Sequence, residues 1–215
     1  RRAASAAGAR SEAKPSEVMN SGEGVGGGSV RAFLRSQRHI SELVMLMRRA
    51  PQPIIAAVHG AASGGGFAIA LASDVRVAGQ SARMNAAFIR LGVSGCDIGV
   101  SCCLPRVVGA SVASELLLTG DFIDAMEARA KGLVNRVVPA DALDAEIERL
   151  AQSILAKSAV AVRMGKGMFY QQLEMGLADA YAYAGEVMAC NMMSEDAGEG
   201  IDAFMQKRIP AYRGC

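Results

Sequence analysis

Three consecutive glycines, Gly64, Gly65 and Gly66, follow the apolar run Ile54–Val58 and open a stretch of small apolar residues. Glycines at such a turn let backbone amides come close to a ligand and take up dihedrals that other residues avoid. The first amides of a helix have no partner within it, and they sit at the positive end of its dipole. Where a helix opens on a glycine turn, the chemistry that suits it is the holding of negative charge on an oxygen. Phosphate is one candidate, but no GK[ST] follows the glycines and no GxGxxG spacing is present, so neither nucleotide fingerprint fits. A tight strand-to-helix turn without a ligand is the plainer alternative.

Asp97, in GVSGCDIGVS, is the only acid between Asp74 and Glu115. A carboxylate beside an apolar pocket is suited to act as a general base, because desolvation favours proton uptake. Asp97 equally suits the N-cap of a helix over Ile98–Val108, and the two uses are compatible. Ser63, Ser94 and Ser101 lie near the same region without a His–Asp partner pattern for a nucleophilic serine. Cys96 lacks a cationic neighbour in the local sequence and reads as packing.

The elements that must position these residues follow from periodicity. Phe33, Leu34, Ile40, Leu43, Val44 and Met47 share one face of a helix predicted over Val30–Arg49, which Pro51 and Pro53 stop. Ile54–Val58 reads as a buried strand, Phe67–Ser73 as a small-residue helix and Val75–Ala78 as a second strand. Helices are expected over Ala110–Leu118 and Ala125–Lys131, and a strand end at Val134–Val138. Asp141–Ala156, Val160–Gln172, Leu177–Met193 and Glu195–Arg208 form a helical second half. Strand, turn, helix and strand in succession imply an α/β fold with crossover helices. Three segments are expected: an atypical or truncated 1–29, rich in Gly, Ala and Ser; a core over 30–140; and a helical region over 141–215.

Composition narrows the class of partner. The 215 residues include 20% charged and 51% hydrophobic types, with no Trp, which is ordinary for a globular domain. A net charge of +2 with scattered basic residues argues against nucleic acid. The five cysteines, Cys96, Cys102, Cys103, Cys190 and Cys215, are odd in number and form no CxxC. That argues against a disulfide framework or a zinc site and for a reducing, cytoplasmic setting. Cys102 and Cys103 lie in an apolar stretch and are expected to pack as small hydrophobes. No run reads as long enough to span a membrane, and no membrane partner is expected. The basic, Ala-rich RRAASAAGAR has a transit-peptide flavour but is read as carrying no targeting role.

The whole string from Pro51 to Ala78, PQPIIAAVHGAASGGGFAIALASDVRVA, resembles the signature of the crotonase family, also called the enoyl-CoA hydratase/isomerase family. The likeness continues through FIRLG (88–92), LPRVVG (104–109), LLTGD (117–121), AMEARAKGLVNRVV (125–138) and AFMQKRIP (203–210), so it covers roughly residues 30–210. The resemblance implies a ββα spiral core with a C-terminal helical trimerisation region. It implies an acyl-CoA thioester substrate, with coenzyme A as part of that substrate and no separate cofactor or metal. Gly65 then corresponds to an oxyanion-hole donor that holds a thioester enolate. Ala62, Gly64, Gly65 and Lys207 become substrate-binding positions, with Lys207 and Arg208 directed to CoA phosphates. His59 stands where the family usually has a small or polar residue, so a structural hydrogen-bonding role is expected of it; His39 reads as surface.

Two departures from the family pattern matter. The hydratase branch places glutamates at the positions of Ala68 and Phe88, and neither residue here can carry a proton. Asp97 lies near the position where isomerase branches place a carboxylate, offset by one residue. The family's first oxyanion motif is matched only by Ala7–Gly8–Ala9, which makes Ala9 the candidate second donor. The expected activity is therefore of the enoyl-CoA hydratase/isomerase type, with double-bond isomerisation favoured over standard hydration. A non-catalytic acyl-CoA-binding subunit is the alternative. A homotrimer or hexamer is expected.

Overall fold

A computed structural model describes residues 29–215. The expectation for Ala9 lies outside the described residues. Helix α1 runs over Val30–Arg49, ending two residues before Pro51. Among the described residues, those from 29 to 42 belong to one unit and residues 43–215 to another.

From Leu43 onward the chain alternates short strands and helices. Strands β1 (Ile55–Val58) and β2 (Ala61–Ser63) precede helix α2 (Gly65–Ala72). Strands β3 (Val75–Gly79) and β4 (Arg83–Asn85) are followed by two 3₁₀ turns, Ala87–Leu91 and Asp97–Gly99, and then by helix α3 (Val100–Thr119). Strand β5 (Ile123–Asp124), helix α4 (Ala125–Ala130) and strand β6 (Arg136–Val138) come next. Helices α5 (Leu143–Leu155), α6 (Ala159–Gln172), α7 (Leu177–Met192) and α8 (Glu195–Met205) close the chain.

The strands sort into two sheets. One is wholly parallel, in the order β1-β3-β6. The other pairs β2 parallel to β4, with β5 antiparallel on the far side of β4. Each strand–strand–helix repeat thus gives its first strand to one sheet and its second to the other, the ββα spiral expected from the sequence. Strands β2, β4 and β5 are two or three residues long and were not anticipated.

The core forms where both sheets meet α2 and α3. Phe67, Leu71, Met84, Leu104 and Leu133 are fully buried there. Fully burying a side chain of this size contributes about 1.5–3 kcal/mol. Helix α2 is almost all Ala, Ile, Leu and Phe, and it buries Phe67, Ala68, Ala70, Leu71 and Ala72. Its small residues let it lie close to its neighbours.

One expectation needs correction. Asp97–Thr119 is a 23-residue helical stretch with mean hydropathy 1.4, long and apolar enough to cross a membrane by length and composition. In this fold its Val100, Leu104, Ala113 and Leu116 pack into the core, and Gly109 (φ 78, ψ 164) breaks the helical geometry within α3.

Charged side chains finish the frame. The Arg76 guanidinium is buried and donates to the carbonyls of Leu133 (2.7 Å), Ser73 (2.7 Å) and Ala70 (3.5 Å). Arg48 Nη2 donates to the Leu71 carbonyl at 2.7 Å. The last turn of α2 therefore has donors for the carbonyls that a helix end leaves unpaired.

Helices α7 and α8 expose large apolar side chains, with Leu177 at 77%, Phe204 at 81% and Met205 at 74% accessible, as do Met193 and Ile209 beyond their ends. Met188 and Met192 are likewise exposed.

Candidate functional site

Strand β2 delivers the chain directly into the glycine turn. Gly64 has φ 53 and ψ −115, a conformation suited to glycine. A Cβ added there would lie 3.4 Å from Phe88 Cε1, so the ring closes the same space. The Gly64 amide donates to the Asn85 carbonyl at 3.1 Å. Ala68 N donates to the Gly64 carbonyl at 3.0 Å and closes the first helical turn. Gly65 is the first residue of α2, and among the described residues its amide meets no backbone acceptor. The turn thus ties down the Gly64 amide and leaves the Gly65 amide open at a helix N-terminus.

Ile98 lies beside Gly65. Its Cδ1 lies 3.7 Å from the position a Gly65 Cβ would take. Ile98 itself has φ 49 and ψ 32, a left-handed conformation that is rare for a β-branched residue and costs about 1–3 kcal/mol. Its amide donates to Asp97 Oδ1 at 2.8 Å.

That geometry corrects the capping expectation for Asp97. The 3₁₀ turn Asp97–Gly99 intervenes, the N-cap of α3 is Gly99, and no side chain caps it. Asp97 sits two residues before that cap, and its Oδ1 accepts the Ile98 amide within its own turn. It is half-buried and adjoins the residue that lies beside Gly65.

The two positions at which the resemblance places glutamates carry hydrocarbon. Ala68 lies on the buried face of α2, 2% exposed, and the half-buried Phe88 ring packs beside Gly64. Ala62 is the half-buried centre of β2, paired with Met84. The structure therefore brings Ala62, Gly64, Gly65 and the Asp97–Ile98 turn into one region.

Among the described residues no hydrogen bond or ion pair joins Lys207 to the glycine turn. It follows α8 in the left-handed region (φ 55) and is exposed. Its amide donates to the Phe204 carbonyl (3.2 Å) and the Arg208 amide to the Ala203 carbonyl (3.0 Å), a Schellman end to the helix. Arg208 is held by Glu199 through two contacts of 2.5 and 2.8 Å. That pairing holds the Glu199 carboxyl down at about 2, chiefly through Arg208 and then through the Ala211 amide.

Other sequence candidates fall out differently from expectation. Cys96 is exposed rather than packed, and hydrogen bonds with Ser94 first and Ser101 second pull its thiol below the usual range. Cys102 is also exposed, with Sγ 2.8 Å from Arg106 Nη1, whereas Cys103 packs against the core as expected. His59 is exposed, and the hydrogen bond there belongs to its carbonyl, which accepts from Ser81 Oγ at 3.3 Å. His39 is at the surface. Among the described residues no group of three His, Cys, Asp or Glu gathers to hold a metal.

Two residues of the site escaped the sequence reading, Asn85 and Ile98. The one signal for Asn85 is an amide interrupting the apolar run Met84–Ala87. Cavity size does not mark the site either. Clefts of about 460 Å³, between Pro51, Ile55, Ile154, Val160 and Arg163, and about 320 Å³, beside Asp196 and Tyr212, both lie away from the glycine turn.

A ββα spiral with a glycine turn opening a helix defines a crotonase-type chain. The family model for enoyl-CoA hydratase/isomerase matches residues 23–214, and the chain belongs to that family. It is 37% identical over 177 residues to the enoyl-CoA hydratase domain-containing protein 3, mitochondrial, of Rattus norvegicus, covering 80% of this chain and 57% of the relative. It is 34% identical over 182 residues to the probable enoyl-CoA hydratase echA12 of Mycobacterium tuberculosis, covering 83% and 64%. The chain thus spans about three-fifths of the length of these curated relatives. A crystal structure of enoyl-CoA hydratase from Mycobacterium smegmatis superposes with a TM-score of 0.83 at 40% identity, covering 86% of this chain and 71% of that one.

Proposed function

We propose that this chain binds an acyl-CoA thioester, stabilises its enolate at the Gly65 amide, and moves a double bond along the acyl chain. The observation that carries this is the contrast between neighbouring amides, with that of Gly64 committed to Asn85 and that of Gly65 open at the start of α2. A preorganised donor aimed at developing charge contributes roughly 3–4 kcal/mol to the barrier. Ala62 and Gly64 line the thioester, Ala9 supplies the second donor, and Lys207 meets the CoA phosphates. No cofactor beyond the CoA of the substrate takes part.

Isomerisation is favoured over hydration because Ala68 and Phe88 offer no carboxylate to activate water. Asp97 is the base in this scheme. It takes a proton from Cα of a β,γ-enoyl thioester, the electron pair moves into the dienolate, and the same proton returns at Cγ. The neighbouring Ile98 lies beside Gly65, which supports that assignment.

A second reading, a non-catalytic acyl-CoA-binding subunit, is favoured by the same missing carboxylates and by the Asp97 oxygen already bonded to Ile98 N. Purified chain incubated in deuterated water with α,β-enoyl-, β,γ-enoyl- and dienoyl-CoA thioesters separates them. A shifted double bond supports the isomerase, a hydroxyacyl product a hydratase, and tight binding without turnover the binding subunit.

The same proposal includes assembly into a trimer, or a dimer of trimers, supported by the exposed apolar residues of α7 and α8. Sedimentation of a stable monomer at micromolar concentration would remove it. The five free cysteines fit a reducing compartment such as the cytoplasm.

A further inference from the structure

Asn85 is 1% exposed, between the fully buried Met84 and Ala86. Burying a carboxamide is costly unless its donors and acceptors are paired. Here they are. Its Oδ1 accepts from Ser63 Oγ at 2.7 Å, and its Nδ2 donates to the Gly120 carbonyl at 2.8 Å. Its backbone carbonyl accepts the Gly64 amide at 3.1 Å.

These bonds converge on one short stretch. Ser63 and Gly64 are the two residues immediately before Gly65, and Ser63 stands opposite Asn85 in the β2–β4 register. At the other end, Gly120 is closely packed. It has φ 66, and a Cβ there would come 2.5 Å from Ile89 Cγ2. The carboxamide therefore spans from a closely packed turn to the residue two before Gly65. An apolar side chain of similar volume would fill this part of the core equally well. What the amide adds is direction.

We infer that Asn85 is a positioning residue for the thioester oxyanion hole: through Ser63 and Gly64 it fixes the orientation of the Gly65 amide. This rests on the reading of Gly65 as the oxyanion donor. Asn85 touches no reacting atom in this scheme.

The test uses the full chain and crotonyl-CoA labelled isotopically at its thioester carbonyl, with infrared difference spectra of the bound ligand. An amide that polarises the carbonyl lowers its stretching frequency, a signature that a purely structural role would leave alone. The wild-type protein is expected to show the lowered frequency. Asn85→Ala is expected to lose most of it, and turnover to fall on the order of tenfold to a hundredfold, as a misplaced catalytic group does. Crotonyl-CoA affinity should stay within about threefold, since the CoA contacts lie elsewhere. Ser63→Ala, at an exposed position, should lose part of the shift. A wild-type spectrum without the shift refutes Gly65 as donor, and this inference with it. A wild-type shift that survives in Asn85→Ala overturns the role of Asn85 alone. Should Asn85→Ala fail to fold, an unchanged shift in Ser63→Ala overturns it instead.

Discussion

Lys166 Nζ lies 2.8 Å from Asp74 Oδ2, with 7% and 13% of the two side chains exposed. The same carboxylate accepts the Ile54 amide at 2.6 Å and the Tyr170 hydroxyl at 2.6 Å. Lys166 also donates to the Met47 and Gln52 carbonyls at 3.1 and 2.9 Å. One ion pair thus pins α6 to the entrances of β1 and β3.

Lys166→Met should lower the unfolding free energy by about 3–5 kcal/mol, because it strands a buried carboxylate. Denaturant titration reads this directly, and a loss below about 1 kcal/mol would show that water screens the pair. Tyr170, whose hydroxyl is pushed up to about 12 by burial first and by its bond to Asp74 second, offers a milder probe. Tyr170→Phe should cost about 1.5–3 kcal/mol, the worth of a hydrogen bond to a charged group.

Gly65→Pro deletes the open amide. Proline is welcome at the first position of a helix, and the space beside Gly65 is ordinary contact distance from Ile98, so the fold should hold. The expected result is a fall of about 10²–10³ in kcat, the usual cost of one oxyanion donor. A folded variant with full turnover would show that another group holds the enolate.

Asp97→Asn should slow the proton-transfer step by about 10²–10⁴ while leaving acyl-CoA affinity nearly unchanged. Asparagine retains an oxygen to accept the Ile98 amide, so the strained turn is preserved. Single-turnover kinetics with a β,γ-enoyl-CoA measure the step. Wild-type rates would reduce Asp97 to a turn residue and favour the binding-subunit reading.

Glu199 predicts a pH effect with a definite sign. Its carboxyl is lowered from 4.5 to about 2 in the folded chain, so its contribution is fully present above 4.5 and fades as pH falls toward 2. The difference in melting temperature between the wild type and Glu199→Gln should narrow over that window and vanish below it. A difference that persists at the acid end would mean that packing, and not charge, holds the Arg208 clasp.

The sequence made the long elements readable and the short ones invisible. Helix α1 carries six apolar residues on one face and two prolines after it, so its limits follow from local pattern alone. Strands β2 and β4 exist because Ala61–Ser63 meets Arg83–Asn85 twenty-two residues later, and three residues carry no period of their own. The glycine turn was legible because its chemistry is local. Of the two roles open to Asp97, the helix cap fails because Ile98 turns left-handed after it, which nothing in GCDIG announces. Asn85 gains its meaning from Ser63 and Gly120, which lie far from it along the chain.

Helix α2 is unevenly finished. Arg76, Arg48 and the Ser73 hydroxyl supply donors to its closing carbonyls, while its opening amide at Gly65 waits for an acceptor. Such a device behaves as a one-ended socket, with the rear plugged and the front live. A socket of this kind responds to charge on an oxygen and is indifferent to the group that bears it. Under the proposed acyl-thioester reading, discrimination among substrates falls to the hydrocarbon beside it, the ring of Phe88 and the branched chain of Ile98. Exchanging those two side chains would retune which substrate is admitted while the socket itself stays as it is.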